Sequence, residues 1–257
     1  MSILNRFFAA GQRTPANPAV PDGLRVYAIG DVHGRFDLLI DLTEKIRADL
    51  ADDPPERSVE IYLGDYVDRG PDTRLVLEWL RGETSACDER LCLKGNHEDI
   101  FLQFIAEPSI AEYWRDLGGY ETLYSYGVQP PVARTGEAML ASHEQFLRVL
   151  PAEDLQFLQS LALHASFGDY LFVHAGLRPG VPLEKQVEED LIWIREAFLT
   201  SGHDFGQIVV HGHTPGDAPD IRRNRINIDT GAFLTGCLTC LVLDGAERRF
   251  LTTQAPV

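Results

Sequence analysis

Short apolar runs and helical periodicities alternate along the chain from residue 24 onward, and the apolar runs stop at glycine-flanked polar turns. Leu24–Ile29 predicts a strand closed by Gly30. Phe36–Leu50 carries Phe36, Leu39, Ile40, Ile46 and Leu50 at helical spacing. An acidic, proline-bearing loop, Ala51–Arg57, leads to a second strand, Val59–Leu63, closed by Gly64. Thr73–Leu80 predicts a helix after Gly70-Pro71-Asp72, because the first helical turn does not need the N–H that proline lacks. Leu91–Leu93 predicts a third strand before Gly95, and Glu98–Ile105 a further helix. Residues 108–168 are mostly helical in pattern, broken at Gly118-Gly119 and Pro130-Pro131. Tyr170–Val173, Gln207–Val210, Arg225–Ile228 and Cys237–Leu243 then predict strands, with Glu184–Phe198 as one helix between the first two.

Strand–helix units first and mainly strands later predict an α/β fold: two sheets facing each other, flanked by helices. The helices of about 108–168 read as an insertion near the functional site rather than as a separate domain. Residues 1–22, with three prolines, read as an N-terminal tail preceding a single domain over 23–257. Ile3, Leu4, Phe7 and Phe8 admit a docking role, against the plainer reading of a tail.

The chain has 257 residues, 44% of them apolar, enough for a sizeable core and too many for a disordered chain. Its formal charge of −16 argues against a sequence-independent nucleic-acid binder and against adhesion to an anionic membrane. It leaves anionic small substrates open, because bound metal ions reverse the local sign. No run approaches the ~20 apolar residues of a membrane span, and the first residues lack the apolar core of an export signal. Cys87, Cys92, Cys237 and Cys240 read as structural thiols, since Cys237-x-x-Cys240 has no partner pair at zinc-finger spacing. Together these point to a reducing cytoplasm. No heptad or apolar stripe assigns an oligomeric state.

The chemistry is concentrated where strands end. Gly30-Asp31-Val32-His33-Gly34, Gly64-Asp65-Tyr66-Val67-Asp68-Arg69-Gly70, Gly95-Asn96-His97-Glu98, His174-Ala175-Gly176 and His211-Gly212-His213-Thr214 each follow a strand-like run. Ligands of α/β proteins gather outside the carboxyl ends of strands, so five such turns predict one shared site. Any one Asp or His here is by itself more simply a turn residue or an ordinary polar contact. The ensemble suits a dinuclear centre: Asp31, His33 and Asp65 on one ion, and Asp65, Asn96, His174 and His213 on the other. Two ions about 3.5–4 Å apart activate a water and hold phosphoryl oxygens for in-line attack.

The motifs GDVHG, GDYVDRG, GNHE, HAG and GHT resemble the phosphoprotein phosphatase branch of the calcineurin-like metallophosphoesterases, over about residues 24 to 243. The resemblance implies a two-sheet sandwich with a dinuclear centre and the same six ligands, with His213 rather than His211 as the last. It implies His97 as proton donor, Asp68 as the carboxylate orienting that imidazole, and Arg69 as a phosphate-binding arginine. Arg195, in Asp190-Leu191-Ile192-Trp193-Ile194-Arg195, fits the second phosphate-binding arginine, with Arg178 as its competitor. The implied cofactors are two divalent ions, manganese first, with iron or zinc as alternatives. The implied mechanism is direct displacement at phosphorus by a metal-bound hydroxide, with His97 as general acid and no covalent enzyme intermediate.

Within that family, Glu98, Asp68-Arg69 and Thr214 resemble the serine/threonine protein phosphatases. The alternatives are a symmetrical diadenosine tetraphosphate hydrolase, another nucleotide or RNA phosphoesterase, and a non-catalytic phospho-binding module. The expected partner is thus a phosphorylated protein or a small phosphoester. Lys94 in place of arginine and HAG in place of HGG depart from eukaryotic members and resemble small bacterial-type enzymes. The insertion, with Trp114-Arg115-Asp116-Leu117-Gly118-Gly119 and Ser125-Tyr126-Gly127, either caps the cleft or packs its own aromatic residues.

Overall fold

The computed structural model describes residues 13–130 and 136–253. Three strand–helix units come first: β1 (Leu24–Ile29), α1 (Phe36–Asp52), β2 (Arg57–Tyr62), α2 (Thr73–Arg81), β3 (Glu89–Cys92) and α3 (Asn96–Ala106). Four helices follow, α4 (Ala111–Asp116), α5 (Gly119–Ser125), α6 (Gly136–Val149) and α7 (Ala152–Ser160). The second half contains β4 (His164–Phe167), β5 (Tyr170–Val173), α8 (Glu188–Trp193), α9 (Glu196–Leu199), β6 (Ile208–His211), β7 (Asp220–Ile221) and β8 (Arg225–Asn227). It closes with α10 (Ala232–Thr235), β9 (Thr239–Asp244) and β10 (Glu247–Thr252).

Among the described residues the strands form two five-stranded sheets, ordered β10-β9-β1-β2-β3 and β4-β5-β6-β8-β7. Strands β1, β2 and β3 are parallel, as are β5, β6 and β8; antiparallel strands form three of the four sheet edges, and the parallel β3 forms the fourth. The period of two along β1 sorts its side chains. Val26 and Ala28 face the other sheet and pack with Ile61, Leu241, Phe172 and Val210, whereas Tyr27 and Ile29 face α1 and pack with Leu39, Leu42 and Ile46. Both faces of the central strands are covered, which is why β5, β6 and β9 read as largely apolar runs, whereas β2 buries Ser58 and Glu60 in alternation with Val59 and Ile61. Each fully buried aliphatic or Phe side chain contributes about 1.5–3 kcal/mol to this sandwich. The architecture is the α/β two-sheet sandwich flanked by helices that the pattern predicts.

The structure differs from the sequence reading in three places. The single helix expected over Glu184–Phe198 is broken into a 3-10 turn (Leu183–Lys185), α8 and α9, with Ile194 and Arg195 non-helical. In an unbroken helix Ile192 and Ile194 would point about 200° apart. The break lets Leu191, Ile192, Ile194 and Phe198 enter one core and turns Arg195 out to solvent. Within the stretch read as helical, β4 pairs antiparallel with β5, and β10, an edge of the other sheet, pairs antiparallel with β9. Both are edge strands with only partial burial, so their apolar signal is weak. The segment taken for a tail is anchored once it enters the described residues: Thr14 donates to Asp204, and Ala19 and Val20 bond to Asp169 and Gly245. Ile3, Leu4, Phe7, Phe8 and Pro131 lie outside the described residues.

Candidate dinuclear metal centre

Because β1, β2 and β3 run parallel, as do β5, β6 and β8, their carboxyl ends deliver residues to one edge of the sandwich. Asp31 and His33 follow β1, Asp65 and Asp68 follow β2, and Asn96 and His97 follow β3. His174 follows β5 and His213 follows β6. All eight are buried. The loops approach closely because of their glycines. A Cβ on Gly95 would stand 2.2 Å from Asp65 Oδ1, and one on Gly212 would stand 2.0 Å from Asp31 Oδ1.

Among the described residues, the non-glycine residues with left-handed backbone are His33, Asp65, Asp68, Arg69 and His213, all of them site positions. Such conformations cost about 1–3 kcal/mol each and persist where surrounding contacts over-determine them. Glu98 supplies much of that constraint. Its buried carboxylate accepts the backbone N–H groups of Asp65 (2.8 Å), Tyr66 (2.7 Å), Val67 (3.3 Å) and Gly95 (2.9 Å). Burial, then the Asp65 carboxylate, push Glu98 up to about 7 against those donors.

Asp65 stands between two sets of donors. Its Oδ2 lies 3.5 Å from His33 Nε2 and 3.9 Å from His97 Nε2, and its Oδ1 lies 3.3 Å from His174 Nε2. Two groups of metal-competent atoms share it: His33, Asp65 and His97, and Asp65, His174 and His213, with all atoms of a group within 4.8 Å of one another. Asn96 Oδ1 faces both His174 Nε2 (3.0 Å) and His213 Nδ1 (2.7 Å). Asp31 lies beside both sets, its Oδ2 accepting the His213 backbone N–H at 3.0 Å.

The imidazoles are prepared for coordination. His33 Nδ1 donates to Val67 O (2.9 Å) and His174 Nδ1 to Leu63 O (3.0 Å). Carbonyls only accept, so each Nδ1 carries the proton and each Nε2 presents a lone pair to the site. Three buried polar atoms here have no hydrogen-bond partner among the described residues: Asp31 Oδ1, His97 Nε2 and His213 Nε2. Leaving such atoms unpaired is costly, and divalent cations satisfy two acceptor types of this kind. The donor set therefore fits two divalent ions.

Burial pushes His33, His174 and His213 down, the last to about 2, which favours the neutral form that ligates metal. His97 moves the opposite way. Burial opposes its charge, but Asp65 and the hydrogen bond to Asp68 outweigh it and raise its pKa. Burial also pushes Asp65 up, yet His174, His97, His33 and His213 together hold it below the usual carboxylate range.

The calcineurin-like phosphoesterase profile matches residues 24–231, most of the chain. The chain belongs to the calcineurin-like phosphoesterase family. It is 27% identical over 254 residues to the asymmetrical bis(5'-nucleosyl)-tetraphosphatase PrpE of Halalkalibacterium halodurans, across 89% of this chain and 94% of that protein. It is 26% identical over 224 residues to serine/threonine-protein phosphatase 1 of Salmonella typhimurium, across 83% of this chain and 89% of that protein. A crystal structure of a candidate diadenosine tetraphosphatase shares the fold with a TM-score of 0.61 at 18% identity, covering 90% of this chain and 94% of that one. This calcineurin-like phosphoesterase is a metal-dependent hydrolase of phosphoesters.

The two arginines are placed differently. Arg69 is half-buried, donates to His33 Nε2 at 3.2 Å and lies over the Phe233 ring at 4.7 Å. Arg195 is exposed, its guanidinium has no hydrogen bond or ion pair among the described residues, and its charge lowers His174 and His213. Arg178 is occupied: its guanidinium grips Asp190 bidentately at 2.7 and 2.5 Å. Four residues escaped the motif reading. Asp229, at the carboxyl end of β8, is pushed up to about 6 by burial and faces Asp31 and Asp65. The run Asp229-Thr230-Gly231 after a predicted strand was a readable signal for it. Phe233 and Thr122 gave none, because they reach the site only through tertiary contacts, and Trp114 was legible only as part of an insertion that either caps the cleft or packs its own aromatic residues.

Proposed function

We propose that this phosphoesterase is a serine/threonine protein phosphatase. The observation that carries this reading is the buried pair of His97 and Asp68, with His97 Nδ1 2.8 Å from Asp68 Oδ2 and His97 Nε2 free beside Asp65. Asp31, His33 and Asp65 would hold one divalent ion, and Asp65, Asn96, His174 and His213 the other, with manganese as the assignment and iron or zinc as alternatives. When bound, the pair of ions supplies a nucleophile at neutral pH and neutralises phosphoryl charge. Arg69 and Arg195 fork onto the remaining phosphoryl oxygens. His97 gives its Nε2 proton to the departing oxygen, and Asp68 keeps the ring in the tautomer and direction that this transfer requires.

A proton donor adds most when the leaving group is a strong base. The alkoxide of a phosphoserine or phosphothreonine is one, and the phosphate released from a phosphoanhydride is not. That difference favours phosphoproteins over dinucleoside polyphosphates. The second reading, nucleotide hydrolysis, rests on the likeness to PrpE, an asymmetrical bis(5'-nucleosyl)-tetraphosphatase. A phosphoserine peptide, a phosphotyrosine peptide and diadenosine tetraphosphate, assayed on protein stripped of metal and reloaded with manganese, zinc or iron, separate the two. Turnover led by the phosphoserine peptide supports the phosphatase. Turnover led by diadenosine tetraphosphate moves the substrate to nucleotides, and no turnover with any metal points to a phospho-binding module.

A further inference from the structure

We propose that Trp114 and Thr122, both on the helical insertion, are positioning residues for the proton donor His97 and act through Asp68. The inference rests on the reading of His97 as general acid.

Asp68 is fully buried, and its carboxylate is claimed from three directions. His97 Nδ1 takes Oδ2 at 2.8 Å. The Thr122 hydroxyl donates to Oδ1 at 2.7 Å. The Trp114 indole N–H lies 3.1 Å from both oxygens. The Asp68 backbone N–H is held in turn by Thr122 Oγ1 (3.0 Å) and Thr73 Oγ1 (3.2 Å). Hydrogen bonds to an ionised acceptor are about twice as strong as neutral ones, so this set resists rotation of the carboxylate plane. A carboxylate that cannot rotate fixes the imidazole bonded to it. The His97 ring then stands edge-on to His33 at 4.6 Å with its Nε2 turned to the metal side.

The clamp itself is tightly packed. Trp114 is fully buried, stacked on Phe104 at 4.2 Å and edge-on to Phe101 at 5.9 Å. Both phenylalanines belong to α3, the helix whose first turn carries His97, so donor and clamp share one packed unit. Gly119 admits the indole, since a Cβ there would lie 2.2 Å from it, and Gly118 O accepts the Arg69 N–H at 3.0 Å. A core tryptophan needs only one acceptor for its N–H, and any carbonyl serves. Here two donors from the insertion converge on the one carboxylate that orients His97.

The test compares leaving groups. Trp114→Phe keeps the aromatic packing and removes the N–H, and Thr122→Val keeps the shape and removes the hydroxyl. Each is assayed on an alkyl phosphoester, a phosphoserine peptide, and on p-nitrophenyl phosphate, whose leaving group needs little protonation. The alkyl-to-aryl ratio of kcat should fall about tenfold, part of the 10²–10⁴ a general acid provides, with KM and metal content unchanged. Thr122→Ser should restore the ratio. His97→Asn is the reference. If His97→Asn leaves the ratio unmoved, the general-acid reading fails. If His97→Asn moves it and neither clamp variant does, or both clamp variants slow the two esters equally, the positioning role is overturned. Should Trp114→Phe not fold, the Thr122→Val and Thr122→Ser pair decides the matter alone.

Discussion

His97 Nδ1 and Asp68 Oδ2 lie 2.8 Å apart in a fully buried contact between residues 29 positions apart in the chain. The contact joins the end of β2 to the start of α3 and leaves His97 Nε2 as the free end of the pair. His97→Asn should keep its metal and lose about 10²–10⁴-fold in kcat on an alkyl phosphoester. Steady-state kinetics with metal analysis of the same sample checks both halves. An unchanged rate would remove His97 from the role of acid.

Asp65 should behave differently, because its two oxygens face opposite sides of the site. Asp65→Asn weakens both donor sets at once. Bound metal and activity should disappear together, by elemental analysis and by turnover, whereas the His97 variant separates the two.

Metal should also stabilise the fold, since it satisfies Asp31 Oδ1 and His213 Nε2 and relieves carboxylate repulsion among Asp31, Asp65 and Asp229. Ligand at 100 times its Kd stabilises a protein by about 2.7 kcal/mol. For a chain of this size that corresponds to a rise in Tm of about 5–10 °C on reloading the stripped protein. A thermal melt that is indifferent to manganese, zinc and iron would contradict the centre.

Arg195 and Arg178 separate by their partners. Arg195→Ala should lower kcat/KM about ten- to hundredfold through a lost charged contact to phosphate. Arg178→Ala, which frees Asp190 and removes nothing from the site, should leave kcat/KM close to that of the parent. The reverse result would transfer the role to Arg178.

The thiols should be slow. Burial pushes Cys87 and Cys92 up to about 12 and Cys240 well above its ordinary value. The thiolate is the reactive form, so at pH 8 only about one part in ten thousand of a thiol near 12 is reactive. Cys237, half-buried in the loop before β9, should be the thiol that an aromatic disulfide reagent reaches first in the native protein, as read by peptide mapping.

Much of this protein was legible in its sequence because the responsible interactions are local. A strand that ends in Gly-Asp-x-His-Gly announces a tight polar turn, and five such turns in one α/β chain converge on a single edge, since parallel strands end together. The strands β1 and β5 and the starts of α1 and α2 fall where the apolar pattern puts them. The edge strands β4 and β10 and the break at Arg195 were not legible, because partial burial and a shared core override local periodicity.

What only the tertiary structure decided is which side chains meet. Asp65 divides its oxygens between His33 and His174, Arg178 is taken by Asp190 while the Arg195 guanidinium has no partner among the described residues, and Trp114 and Thr122 reach back 46 and 54 residues to hold Asp68. These contacts follow from how two sheets and an inserted helical layer pack. Packing is set by the shape of the whole core, whereas residue type and short spacing record only the turns that the core brings together.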